Sequence, residues 1–158
     1  MSLDQIVSDA WASADPDDPD AMVTFFRDLL AQDPTDPARQ FELANAYDGA
    51  GREAEAIPLY ESAIQAGVAG DRARRARVQL GSSLRNVGRA DEAVSVLDEV
   101  VRRYPGSPSA ECFLALALAD AGRPREAVAR LVDLVARTAT DDDTVDYRAA
   151  LQRYARSL

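Results

Sequence analysis

Three stretches of the chain repeat one pattern of large and small residues before a glycine. In each stretch a small residue follows a large one, and a second large residue comes four positions after the first: Leu43-Ala44 with Tyr47, Leu80-Gly81 with Leu84, and Leu114-Ala115 with Leu118. This spacing places the large residues on one face of an α-helix, where the small residue lets another helix approach closely. Each pattern predicts a helix that ends near Gly51, Gly88 or Gly122, because glycine readily adopts the left-handed conformation just past a helix.

A second apolar stripe follows each glycine within a few residues. The stripe occupies positions i, i+4 and i+7 in every copy: Ala56, Tyr60 and Ala63, then Ala93, Leu97 and Val100, then Ala127, Leu131 and Leu134. The three glycines are 37 and 34 residues apart in the sequence. A period of about 34 residues with two helices in each copy indicates an array of helix hairpins.

The segments before and after the three copies also predict helices. Residues 2–13 and 20–32 carry helical apolar patterns, and the segment Asp15–Asp20 separates them with two prolines. Trp11 is expected to pack inward from the end of the first of these helices. Residues 142–157 predict a last helix, whose apolar stripe is expected to cover the end of the array: Tyr147, Leu151, Tyr154 and Leu158.

Two local features modify the regular pattern. Pro58 lies inside the second helix of the first copy, where it removes the hydrogen bond to the carbonyl of Ala54. We expect a local kink at this point, with Tyr60 and Ala63 still directed inward. Three residues are inserted after the first copy, and they are expected to lengthen the next helix by about one turn, with Asp71 as its N-cap.

These positions resemble the tetratricopeptide repeat family, and Pro34 and Pro105 fall at the family's closing proline. The run from Tyr47 to the end of the third copy also resembles a small bacterial group of such proteins without an assigned activity. The resemblance implies one all-α domain over residues 1–158, a right-handed α-α superhelix of about nine helices. Its parts are a degenerate N-terminal capping repeat, three repeats and a C-terminal capping helix: 1–36, then 37–70, 74–107 and 108–141, then 142–158.

The resemblance implies a non-enzymatic scaffold that binds a peptide or protein partner in a concave groove. The first helix of each repeat would line this groove through Phe41, Asn45, Asp48, Arg75, Val78, Ser82, Arg85, Asn86, Cys112, Leu116 and Asp120. Some family members hold the C-terminal carboxylate of a peptide with Lys and Asn side chains on the first helix and with Lys and Arg side chains on later helices. Asn45 matches one of these positions, but Phe41 stands where a Lys would be, and the chain contains no Lys. Gln40, Arg77 and Glu111 stand where the family frequently has Trp.

Self-assembly is the alternative function. Exposed apolar residues such as Phe41, Leu116 and those of the terminal helix would then form a homodimer interface. A chain that stays monomeric at tens of micromolar would favour a partner in trans.

Charge is distributed unevenly along this acidic chain, whose formal net charge is −9. Residues 1–36 hold nine Asp and one Arg, whereas residues 71–107 hold eight Arg and five acidic residues. Nucleic-acid binding is not expected, because phosphate neutralisation requires a basic surface. The segment Arg72–Arg77 is either ordinary surface paired with nearby acids or an anion-recognition patch. We expect a peptide partner that is acidic or has a free carboxylate, contacted by Arg75 and Arg85.

Catalytic and metal chemistry find little support in the sequence. The chain has no His, and its one cysteine, Cys112, is expected to be an inert thiol at least half-buried on an apolar helix. No phosphate-binding glycine loop occurs, and the segment Asp15–Asp20 lacks the Gly and closing Glu of a calcium loop, which favours a capping and linker role. We therefore expect no enzyme activity and no cofactor. The absence of a long apolar run and of a secretory signal predicts a cytoplasmic protein.

Overall fold

Helix follows helix along the whole chain in the computed structural model, which describes residues 1–158. The nine helices are α1 Leu3–Ala12, α2 Pro19–Ala31, α3 Pro37–Gly49, α4 Glu53–Gln65, α5 Gly70–Asn86, α6 Ala90–Arg103, α7 Pro108–Asp120, α8 Pro124–Thr138 and α9 Asp142–Ala155. Side chains of Ser2, Asp18, Asp36 and Asp141 accept hydrogen bonds from backbone N–H groups in the first turns of their helices. The predictions of an all-helical fold and of about nine helices are confirmed.

The chain forms two compact units, Met1–Ser83 and Leu84–Leu158. In the first unit α3 packs against both α2 and α4, and in the second α7 packs against α6 and α8, while α9 packs against α8. A core cluster of the first unit contains Val7, Met22, Val23, Phe26, Leu29, Leu43 and Ala46. The sequence-based expectation of a single domain stays a prediction.

The three repeated glycine turns have nearly the same geometry. Gly51, Gly88 and Gly122 all have positive φ angles, of 69°, 81° and 75°. The arginine that follows each glycine donates its backbone N–H to the carbonyl five residues earlier: Arg52 to Tyr47 at 2.9 Å, Arg89 to Leu84 at 2.9 Å, and Arg123 to Leu118 at 2.8 Å. This bond satisfies a carbonyl at the end of the helix, which is why the chain stops and turns there. The same arginine side chains pair with a glutamate in the first turn of the next helix: Glu55, Glu92 and Glu126.

The structure bears on both departures from the regular pattern, although the local kink at Pro58 stays a prediction. Helix α4 continues through Pro58, and Tyr60 and Ala63 are fully buried, which confirms their inward direction. Helix α5 has 17 residues, whereas α3 and α7 have 13 each, so the inserted residues do add about one turn. Asp71 is not the N-cap, because α5 begins one residue earlier, at Gly70.

The prediction for the terminal helix was wrong in its orientation. Tyr147 and Tyr154 are 63% and 61% exposed, and the buried residue of α9 is Ala155. The Arg148 side chain, two turns before Ala155 on the same face, anchors the helix, because it donates to the carbonyl oxygens of Ala136 at 2.7 Å and Ala139 at 2.9 Å. Two unsatisfied carbonyls at the end of α8 thus gain donors, and the tyrosines remain in solvent.

Candidate functional site

A polar pocket of about 310 Å³ lies in the first unit between α3 and α5. Asn45 and Asp48 enter it from α3, three residues apart, and Arg75 and Gln79 enter it from α5, four residues apart. These spacings place each pair on one helix face. The indole of Trp11, at the end of α1, and Gly49 complete the lining.

A buried tyrosine fixes the orientation of Asn45. Tyr60 is fully buried, and its hydroxyl donates a hydrogen bond to Asn45 Oδ1 at 2.9 Å. Burial raises the pKa of the Tyr60 hydroxyl well above its ordinary value, and the charge of Asp48 raises it further. Tyr60 therefore stays protonated as a donor at every physiological pH. With its oxygen bound by Tyr60, Asn45 has only its amide NH₂ group left to offer as a donor in the pocket that it lines.

Asp48 supplies a negative charge whose two oxygens are already engaged. Its Oδ1 accepts from Ser83 Oγ at 2.8 Å, and its Oδ2 accepts from Gln79 Nε2 at 3.2 Å. Burial raises the pKa of the Asp48 carboxyl; the hydrogen bond from Ser83 lowers it, and the charge of Glu53 raises it. The net increase means that the pocket disfavours the ionised form of Asp48 more than water does.

Arg75 is the cation that the pocket presents to solvent. Its side chain is exposed, and its guanidinium carbon lies 5.4 Å from the centroid of the Phe41 ring. The guanidinium forms no ion pair within the chain. Phe41 itself is fully buried, so its ring acts as a flat apolar support that holds the guanidinium in place without neutralising it.

The other arginines of the Arg72–Arg77 segment have partners. Arg72 pairs with Glu42 and Asp4, and Arg74 pairs with Asp71. Arg77 donates to the carbonyl of Ala73 at 2.6 Å. Paired surface is thus the better description of this segment, with Arg75 as the exception.

Three of the expected site residues form a separate cluster in the second unit. Arg85 Nη1 pairs with Asp120 at 3.0 Å, and Arg85 Nη2 donates to Asn86 Oδ1 at 3.0 Å. The guanidinium of Arg85 is therefore already engaged, unlike that of Arg75. Leu116 is 46% exposed and lies on the same helix as Asp120.

Some predicted positions lie elsewhere than expected. Phe41 and Val78 are buried, at 0% and 6% exposure, so they offer no surface to a partner. Cys112 is exposed, so the prediction of a thiol that is at least half-buried was wrong, since α7 directs Ala110, Leu114 and Ala117 inward instead. Ser82 is half-buried. Sequence reasoning missed Trp11, Gly49 and Gln79 as pocket residues, although Gln79 is four residues after Arg75 and thus on the same face.

Comparisons with known proteins agree with this architecture. The family model described as "Tetratrico peptide repeat" matches residues 37–158. A solved structure described as "MamA RS-1 ArsTM double mutant" has a TM-score of 0.67 and 17% sequence identity, and the match covers 97% of this chain and 92% of that chain. No curated protein matches the sequence. The repeat family and the fold expected from the sequence are confirmed.

Two further observations concern metal ions and membranes. No group of three or more His, Cys, Asp and Glu side chains is arranged to hold a metal ion. None of the helices is both long enough and apolar enough to span a membrane.

Proposed function

Because the chain belongs to the tetratricopeptide repeat family, whose members bind protein partners, we propose that it is a non-enzymatic scaffold for a peptide with a free carboxylate. The carboxylate occupies the pocket between α3 and α5. One observation carries this proposal: Arg75 presents an exposed guanidinium that forms no ion pair, next to the free amide donor of Asn45.

The pocket provides donors of the kind that a carboxylate needs. A guanidinium presents its N–H groups in a planar fork that binds both oxygens of a carboxylate, and an amide NH₂ adds a further donor. The Trp11 ring provides an apolar wall for the side chain next to the carboxylate. The rigid supports below, Phe41 and Tyr60, keep both donors in place before the ligand arrives, which lowers the entropy cost of binding.

Asp48 limits which carboxylates are bound. Its charge lies in the same pocket and opposes a second negative charge on the ligand. The chain as a whole is also acidic, with a net charge of −9. The pocket therefore favours a single carboxylate at Arg75 over a strongly acidic peptide, and binding weakens as salt is added.

The test starts from a random peptide library displayed with free C-termini. The tightest peptide is selected on the purified chain, and its affinity is compared with that of its C-terminal amide by fluorescence anisotropy. We expect the amide to bind at least about tenfold more weakly, since it removes a charge-assisted bidentate contact. Equal affinity of the acid and the amide would contradict the carboxylate site.

Matched variants locate the contact. Arg75→Gln should weaken binding about tenfold or more, whereas Arg85→Gln should change it less than about threefold, because Arg85 is engaged by Asp120. Asp48→Asn should strengthen binding, since it removes the opposing charge but keeps an acceptor for Ser83. An unchanged affinity for Arg75→Gln would refute the assignment.

Self-assembly remains the second candidate, and the exposed apolar residues favour it. Leu116, Tyr147, Tyr154 and Leu158 are 46% to 63% exposed. Sedimentation velocity over a range of concentrations separates the two functions. A monomer at tens of micromolar supports a partner in trans. Self-assembly is supported if the chain forms a concentration-dependent dimer and the double variant Tyr147→Ser with Tyr154→Ser abolishes that dimer.

A further inference from the structure

A second cavity lies between α1 and α2, at the N-terminal end of the first unit. Its volume is about 520 Å³, a size typical of ligand-binding clefts. The lining is mainly apolar and includes Ile6, Ala10, Met22 and Phe25. The acidic residues of the lining are Asp9 and Asp15, and the lining contains no Lys or Arg.

The cleft lies in the hairpin that α1 and α2 form. The inner residues Val7, Phe26 and Leu29 are buried in the core cluster. Here Phe25 is 40% exposed and Met1 is 91% exposed, so an apolar surface remains uncovered. A groove between two helices is the shape that receives a third helix.

The charge around the cleft limits the occupant. Residues 1–36 hold nine Asp and one Arg. The single arginine, Arg27, donates to the Tyr47 hydroxyl and is absent from the cleft lining. Asp9 accepts a hydrogen bond from the Gln5 side chain and Asp15 accepts one from the Asp17 backbone N–H, so the hydrogen-bond donors to these two carboxylates are uncharged groups. An anionic or a purely apolar occupant would leave these charges unpaired.

We propose that the α1/α2 cleft binds an amphipathic helix of a partner protein, with apolar residues on one face and Lys or Arg on its flanks. The apolar residues enter between Ile6 and Phe25, and the cations face Asp9 and Asp15. This site prefers the opposite charge from the Arg75 pocket and is independent of it. The first unit would therefore connect two different partners.

The test uses a synthetic helical peptide made of Leu and Lys, with all lysines on one face and all leucines on the other. Two matched peptides serve as controls: one has Glu in place of every Lys, and one has the same Leu and Lys residues in a shuffled order without an apolar face. We expect the first peptide to bind in fluorescence anisotropy at least about tenfold more tightly than either control.

Variants of the chain then show whether the cleft is the binding site. Asp9→Asn with Asp15→Asn should weaken binding about tenfold. The control Glu61→Gln with Glu99→Gln removes the same total charge at two exposed residues outside the cleft lining, and it should weaken binding less than about threefold. Phe25→Ser should also weaken binding about tenfold, whereas Leu116→Ser, an equally exposed apolar residue in the second unit, should not. Far-ultraviolet circular dichroism and thermal unfolding verify that each variant is folded.

Several outcomes would overturn the proposal. Equal binding of the shuffled peptide, or equal loss in the two charge-removing variants, would mean that net charge alone attracts the peptide. If the chain dimerises and Phe25→Ser abolishes the dimer, a second copy fills the cleft. Arg75→Gln should leave peptide binding at the cleft unchanged, so the two proposed sites stand or fall separately.

Discussion

The buried carboxylate of Glu42 links three helices of the first unit. Its residue exposure is 3%, and its two oxygens accept hydrogen bonds from Arg72 Nε at 2.8 Å and Trp11 Nε1 at 3.2 Å. Arg72 also pairs with Asp4 at 2.7 Å. Since α1, α3 and α5 each contribute to this network, we expect it to determine much of the stability of the first unit.

The structure allows the cost of breaking the network to be estimated. Removing one partner of a buried ion pair costs about 3–5 kcal/mol. Arg72→Met leaves the Glu42 carboxylate with the Trp11 N–H alone, so we expect about 3 kcal/mol, out of a total stability of about 5–15 kcal/mol. Glu42→Gln keeps the shape and an acceptor, and it should cost about 1 kcal/mol. The double variant leaves no buried charge uncompensated, so its cost should be about 2 kcal/mol, which is less than that of Arg72→Met alone.

Urea unfolding followed by tryptophan fluorescence measures these free energies. Trp11 is the only tryptophan and lies in the first unit, so its emission reports on that unit. Arg74→Met is the matched control, because it breaks an ion pair whose Asp71 partner is largely exposed and should cost less than about 1 kcal/mol. Two results would contradict this prediction: Arg72→Met is no more destabilising than Arg74→Met, or the double variant Arg72→Met with Glu42→Gln costs the sum of the two single changes. Either result would mean that the Glu42 carboxylate is effectively solvated.

Four further expectations concern single positions. Pro58→Ala should raise the free energy of unfolding by about 1–3 kcal/mol in urea titration, because it restores a helical hydrogen bond; a loss of stability would mean that the ring is required for packing. Gly88→Ala should lower the free energy of unfolding by about 1 kcal/mol, because the Gly88 φ of 81° is unfavourable for alanine. Nothing lies within 4 Å of the added carbon, so no new packing contact offsets this cost. Asp48→Asn should raise the melting temperature at pH 7, because the raised pKa of Asp48 means that the wild type loses stability as pH rises through that pKa. The gain should therefore shrink as pH falls through the raised pKa towards the ordinary value of 3.8, and it should be absent well below 3.8. Cys112 should react with a thiol reagent in the native state without urea, and a reaction that requires urea would contradict its exposure.

The sequence by itself determined the helices and the turns between them. Apolar periodicity, the N-cap residues and the glycines act within a few residues of the chain, so their effect does not depend on distant partners. The three turns at Gly51, Gly88 and Gly122 follow directly from this local chemistry. The resemblance to the repeat family also placed Asn45, Asp48 and Arg75 on one surface, and all three line the same pocket.

Only the tertiary structure decided which side chains are free to bind. Arg72 meets Glu42, 30 residues away in sequence, and Arg85 meets Asp120, 35 residues away, whereas Arg75, in the same helix, rests on Phe41 without an ion pair. The same helical periodicity also failed to orient α9, where Arg148 found two carbonyl acceptors and left Tyr147 exposed. Burial and pairing depend on distances between residues far apart in sequence, and a carboxylate or guanidinium changes its free energy by several kcal/mol according to which partner it meets. Local patterns specify where a side chain points on its helix, and long-range packing specifies what it meets there.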